Sequence, residues 1–439
     1  MEPKMPDLDL AKQAILAAVD DLRDDLVAQT AEFVRIPTVN PYSGDSSAGN
    51  EQAGQEFLKG LCEVAGAASI ALFDCPSDVF ARGGLIGPAG REFAGRPNLV
   101  AEFVLGGGSK SVIVNCHVDT VGTDGMEVEP FSGEVREGAL WGRGTSDSKG
   151  NLIVGLIALR ALQRVGATGG RVLYQSVVDE ECNGSGAGTL ACCLAGYTAD
   201  YALVLDGSGL YPCTGCNGVA TAEVRVSGRA GHAAHGGAVN AIDKAVHIKS
   251  AIDQFKAAWE APNPDCRLTL GVFRAGTLPA IVPAEAVLQM NITYPHAQAE
   301  ASQASGEGWR AALMRGDFEQ AMRAASAQDD WLRAHPATVG WIKDVYPFRT
   351  PDDSSVVRAA QQALTDIGRP AAPRPMTAWF DAAHLAVNSR IPVVGLGAGL
   401  EGEAHGATEH ILLEDLVSGA KAVALALHAL LSPDRCGTG

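Results

Sequence analysis

A chain of 439 residues is longer than one hydrophobic core usually serves, so two domains are expected, and 46% hydrophobic against 19% charged residues can fill both. Thirty-four basic residues against fifty-one acidic ones leave a formal net charge of −17, which argues against nucleic acid and anionic membrane surfaces as partners and leaves a small-molecule substrate. The opening residues show no basic segment followed by an apolar core, and no apolar run approaches the roughly 18 residues of a membrane-spanning helix, so a cytoplasmic enzyme is expected.

In chain order, Leu10, Ile15, Val19, Leu22 and Leu26 recur near one stripe at helical spacing, which predicts a first amphipathic helix over 8–34. Strand and helix signals then alternate as far as Asp206. The apolar run Val112-Ile113-Val114-Asn115-Cys116 ends in His117 and, two residues on, Asp119; 171–178 ends in Asp179-Glu180-Glu181; 201–205 ends in Asp206. Helix-like stretches at 151–165 and 189–194 separate them. Such alternation predicts βαβ units, that is, an α/β fold with a mostly parallel sheet covered by helices on both faces.

The pattern changes after about Pro212. Residues 221–226 alternate polar and apolar like a strand with one wet face; a helix pattern over 239–255 and strand-like runs at 268–273 and 286–292 follow. The Ala-, Gln- and Glu-rich stretch 297–333 predicts helix with a break at Gly306 and Gly308. These signals predict a small α+β domain over 213–334, inserted into a catalytic domain made of 1–212 and 335–439. A buried strand signal returns at 391–396, its following loop reaches His405, and the chain closes on an apolar helix over 413–431.

The ten cysteines are scattered rather than spaced as a disulfide framework, which fits a reducing compartment. Cys213-x-x-Cys216 lacks a second Cys/His pair at zinc-finger spacing and reads as two small buried residues in a turn. Gly184-Ser185-Gly186-Ala187-Gly188 has the wrong spacing for a dinucleotide fingerprint, and the two glutamates before it would repel a pyrophosphate. Its glycines read as a turn that lets the Glu180-Glu181 edge pack closely. No G-x-S-x-G elbow occurs, which argues against a serine hydrolase.

In open α/β sheets chemistry is done at the carboxyl ends of the strands, and there the sequence collects His117, Asp119, Asp147, Glu180, Glu181, Asp206 and His405. Imidazoles with carboxylates suit zinc, cobalt or manganese. If Asp147 bridges two ions, His117 with Asp206 completes one site and Glu181 with His405 the other. With a bridging hydroxide the charges balance, and such a pair generates a nucleophile and polarises a carbonyl. Asp119 is expected to accept the second ring N–H of His117. Glu180, beside a ligand but pointing elsewhere, is expected to be the general base.

The pattern His117-x-Asp119, Gly142-Arg143-Gly144 leading to Asp147-Ser148-Lys149-Gly150, Glu180-Glu181, Asp206, and His405 with Glu409 resembles the M20 family of metallopeptidases and amidohydrolases over nearly the whole chain. That family includes acetylornithine deacetylase, succinyl-diaminopimelate desuccinylase, glutamate carboxypeptidase and aminoacylases. The resemblance implies a dizinc catalytic domain interrupted by a lid that mediates homodimerisation, with Asp147 as bridge and Glu180 as base. The segment 226–232 followed by 239–242 is similar to the family's lid histidine motif, which implies that His232 reaches the partner subunit's site and holds the developing oxyanion; His235 is a bystander.

Two departures touch recognition. Where family lids carry an asparagine and an arginine near the substrate, this chain has Ala280 and Thr293, with Arg274 as a candidate substitute, and Ser148 stands where methionine is frequent. The expectation is a hydrolase that cleaves an amide bond of an N-acylated amino acid or related amine. A dipeptidase or carboxypeptidase is the alternative within the family, and a non-catalytic binding relative the alternative outside enzymes.

Overall fold

The computed structural model describes residues 9–45, 49–166, 168–207, 209–399 and 402–432; the opening segment and one of the ten cysteines, Cys436, lie outside them. Its centre is a nine-stranded sheet in which Gly170–Val177, Ser111–His117, Tyr201–Val204 and Val393–Gly395 run parallel side by side. The antiparallel strands Ser69–Asp74 and Pro97–Gly106 flank them on one side, and Cys213–Cys216 and Phe348–Arg349 on the other. Every residue of Ser111–His117 is buried. Val112 and Val114 join the core under the helices Lys149–Val165 and Leu413–Leu431, while Ile113 joins the core of the opposite face with Phe380 and Leu385. Because successive side chains alternate across the sheet, a strand buried on both sides must be apolar throughout, which is the pattern read from the sequence.

One expectation about helices changes and another gains a detail. The run expected over 8–34 is two helices, Leu10–Asp21 and Arg23–Val34, broken at Leu22. Asp20 and Asp21 crowd the carboxyl end of the first, where negative charge opposes the helix dipole, whereas Asp24 and Asp25 sit favourably in the first turn of the second. A stripe of apolar residues continues through such a break, so periodicity alone does not reveal it. The stretch 297–333 breaks at Gly306 and Gly308 as expected, between His296–Ala304 and Ala312–Ser326, and once more before Asp330–Ala334.

The inserted unit is a four-stranded antiparallel sheet in the order Leu268–Ala275, Glu285–Tyr294, Gly218–Ser227, Thr338–Val345. The helices Ala241–Glu260 and Ala312–Ser326 cover one face, filling it with Ile248, Met314, Phe318 and Met322. Cys213–Cys216 belongs to the large sheet and Thr338–Val345 to the small one, so we propose that the insertion runs from 218 to 345 rather than from 213 to 334. Cys213 and Cys216 are buried in a strand and not in a turn. No helix among the described residues is long and apolar enough to cross a membrane.

Candidate metal centre

Parallel pairing is what delivers the polar residues to one edge. His117 lies opposite Val177, Asn115 opposite Val204, and Val204 opposite Gly395, so the segments that follow these strands leave the sheet together. They carry His117 itself, the Glu180-Glu181 turn, Asp206 and the loop to His405. Asp147 comes from the loop that opens the helix Lys149–Val165.

Two sets of donor atoms converge there. His117, Asp147 and Asp206 form one, with donor atoms within 4.8 Å of one another; Asp147, Glu181 and His405 form the second on the same criterion. Asp147 is common to both: its Oδ1 lies 2.9 Å from His117 Nε2 and its Oδ2 3.3 Å from His405 Nε2. His405 Nε2 is also 3.1 Å from Glu181 Oε1. Glu180 is in neither set, yet it lines the same cleft of about 520 Å³ together with Asp147, Glu181, Asp206, Tyr211, Arg374 and Trp379.

The electrostatics of this cluster call for cations. Burial pushes Glu181 up to about 7 and Asp206 up to about 6, in each case with Asp147 adding like charge. Burial also raises Glu180 well above the usual carboxylate range. At Asp147 burial is outweighed by hydrogen bonds from His117 and His405, which hold its carboxyl below the ordinary range. Hydrogen bonds to Asp147 and Glu181 push His405 up to about 11. In the protein alone, then, the two imidazoles supply the positive charge that converging carboxylates demand. Oxygen and imidazole nitrogen donors grouped this way, one carboxylate shared, fit a pair of divalent ions.

His117 Nδ1 lies 2.8 Å from the backbone carbonyl of Asp119, whereas the Asp119 carboxylate is 3.8 Å away. The expected contact is therefore made by the main chain. A carbonyl can only accept, so Nδ1 carries a hydrogen; Nε2, which donates to Asp147 in the protein alone, is the nitrogen that would lose its hydrogen and offer a lone pair to a metal ion. The Asp119 carboxylate instead accepts Asn40 Nδ2 at 2.7 Å and the backbone amides of Glu181 at 3.2 Å and Glu180 at 3.4 Å. It orients the acidic turn. Glu409 does the same for the Asp147 loop: buried, it pairs with Arg143 at 2.6 Å and accepts the amides of Gly144, Ser146 and Asp147 at 3.0–3.2 Å.

The turn after Gly170–Val177 is tightly folded, with Asp179, Cys182 and Asn183 all at positive φ. A Cβ at Gly184 would meet the Asp179 carbonyl oxygen at 2.2 Å, so glycine is required by close packing, as the sequence suggested. Arg91 bridges this turn from Asp179 Oδ1 (2.5 Å) to the Cys182 carbonyl (2.7 Å), and Arg96 pairs with Glu51 behind it. None of Asn40, Arg91 and Arg96 was singled out from the sequence, where no local pattern marks them. The same holds for Arg374, whose guanidinium stacks 3.8 Å above the Tyr211 ring at the cleft.

His232 stands apart from this cluster within one chain. It lies exposed on the two-residue ribbon Gly231–His232 paired with Ile281–Val282, its ring 4.8 Å from that of His235. Ala280 is exposed beside this ribbon, and Thr293 Oγ1 accepts the amide of Arg267 at 2.7 Å. Arg274 lies on the strand Leu268–Ala275 of the inserted sheet and is not among the residues lining the cleft.

The sequence profile of peptidase family M20/M25/M40 matches residues 113–429. N-formyl-4-amino-5-aminomethyl-2-methylpyrimidine deformylase from Halalkalibacterium halodurans is 26% identical over 92% of this chain and 94% of its own length. Acetylornithine deacetylase from Proteus mirabilis is 30% identical over 39% of this chain and 45% of its own. Among solved structures, the dipeptidase Dug1p from Saccharomyces cerevisiae superposes with a TM-score of 0.73 at 16% identity, over 96% of this chain and 99% of that one. Aminopeptidase PepT from Bacillus cereus gives 0.67 at 20% identity, over 93% and 99%. These two likenesses establish the fold.

Proposed function

The chain belongs to peptidase family M20/M25/M40, and from that premise we propose that it removes a small acyl group, formyl or acetyl in size, from the nitrogen of a small amine. It is a metal-dependent hydrolase of amide bonds. The observation that supports hydrolysis on two ions is the carboxylate of Asp147 shared between two donor sets, with Glu180 beside them and in neither. His117, Asp147 and Asp206 would hold one ion and Asp147, Glu181 and His405 the other. Two such ions, zinc by the preference of this donor set, supply water of lowered pKa and polarisation of the scissile carbonyl.

The rest of the reaction falls to the chain's own side chains. Glu180 takes a proton from the attacking water as its oxygen bonds to the acyl carbon, then delivers it to the amide nitrogen as the carbon–nitrogen bond breaks. A carboxylic acid and an amine leave. Burial that raises the Glu180 carboxyl suits it to receiving that proton. The Asp119 carboxylate and Arg91 keep the turn in place.

Deacylation rather than peptide cleavage is supported by the deformylase, which aligns over nearly its whole length, and by the deacetylase over a shorter stretch. Thr293 and Ala280, where family lids often carry an arginine and an asparagine, favour a substrate without a free α-carboxylate held in that manner. We further infer that the chain acts as a homodimer through its inserted unit, with His232 donating to the oxyanion from the second copy, and that it works in the cytoplasm, where its buried thiols stay reduced. Screening metal-loaded protein against N-formyl, N-acetyl, N-succinyl and N-carbamoyl amines and a dipeptide panel tests the reading. Turnover confined to dipeptides overturns deacylation in favour of a peptidase.

A further inference from the structure

The turn 179–184 carries both Glu180 and Glu181 and is held by residues from both bodies of the molecule. From the large sheet's side come Asp119 and Arg91. From the inserted unit come two more. Lys343, on the strand Thr338–Val345, donates from Nζ to the Gly184 carbonyl at 2.9 Å, and Thr221 Oγ1, on the neighbouring strand Gly218–Ser227, lies 3.2 Å from Asn183 Oδ1. Lys343 is itself buried and directly follows a register irregularity between the two strands.

Three residues of this turn, none of them glycine, have left-handed backbone angles. Such a conformation persists only where surrounding contacts over-determine it. A buried ammonium is equally unfavourable unless its hydrogens find acceptors, and the Gly184 carbonyl takes one of those of Lys343. Each feature explains the other. The lysine holds the carbonyl that closes the turn, and that carbonyl accepts from the buried ammonium.

We propose that Lys343 is a positioning residue of the reaction, through which the inserted unit fixes the turn that aims Glu180 and Glu181. This rests on the metal-dependent amide hydrolysis described above, but its failure reads differently. A wild-type protein without amide hydrolysis sinks that reading, whereas this inference is judged on variants of an active protein.

The test is Lys343→Met, which keeps the aliphatic stem and removes the donor, with Lys343→Arg as the conservative variant. In metal-free protein, hydrogen exchange of the amides in 179–186 should speed up for Lys343→Met while the cores of both sheets keep their protection. With metal restored, kcat should fall by about tenfold or more with KM nearly unchanged, since a small misplacement of reacting groups costs that much, and Lys343→Arg should recover most of it. Unchanged exchange in 179–186 together with wild-type kcat overturns the proposal. So does a loss in KM alone, or equal damage in both variants. Should Lys343→Met not fold, Lys343→Gln takes its place under the same criteria, and failure of both to fold makes Lys343 a stability residue and overturns the proposal too.

Discussion

Glu409 accepts the backbone amide of Asp147 at 3.2 Å from 262 positions away along the chain. The residue that lies between both ligand sets is thus aimed from the far end of the sequence, and its loop is locked by a buried ion pair with Arg143. Removing one partner of a buried pair leaves an uncompensated charge, which costs about 3–5 kcal/mol. Glu409→Ala should therefore lower the unfolding free energy by about that amount in denaturant titration and weaken metal binding. A loss under about 1 kcal/mol, the scale of exposed pairs, would mean that Arg143 finds another acceptor.

The two adjacent glutamates should separate cleanly. Glu180→Gln is expected to keep metal content and melting temperature but to lose at least about 10² in kcat, the scale of general-base contributions. Glu181→Gln should lose metal first and activity as a consequence. Elemental analysis beside kinetics distinguishes them, and the reverse pattern would mean their roles are exchanged.

Recognition of the substrate's far end should depend on the large domain. Arg374, planar and stacked on Tyr211 in the cleft, should on change to Ala raise KM by about tenfold, whereas Arg274→Ala should leave kcat/KM unchanged. A large effect of Arg274→Ala and none of Arg374→Ala would restore the lid as the recognising surface.

His232→Ala should lower kcat more than it raises KM, because a hydrogen bond made chiefly in the transition state is lost. Subunits carrying Glu180→Gln and subunits carrying His232→Ala, each inactive alone, should regain activity on mixing, since one intact site forms per hybrid dimer. No recovery after verified exchange would place His232 in cis or outside the reaction.

The convergence of the candidate metal ligands was legible in the sequence because most of them end or follow an apolar run. Strands buried on both faces must be apolar, so a histidine or carboxylate ending such a run marks the sheet edge, and parallel pairing gathers those ends. Contacts that depend on how distant loops approach were not legible. Nothing beside Asn40, Arg91 or Lys343 announces that Asn40 meets Asp119 and that the other two meet the turn 179–184, and no spacing rule says that His117 meets the carbonyl of Asp119 instead of its carboxylate. The sheet that 338–345 joins was not legible for a related reason: only its pairing with Gly218–Ser227, more than a hundred residues earlier, decides it.

The central claim is that amide hydrolysis runs on two ions held by His117, Asp147, Glu181, Asp206 and His405. The most direct test is stepwise addition of Zn²⁺ to protein stripped by chelation, following bound metal and hydrolysis of an N-acyl amine in the same samples. Activity should be absent in the stripped protein and reach its plateau at close to two equivalents per chain, and His117→Ala should bind fewer. Full hydrolysis by protein shown to be metal-free would contradict the account.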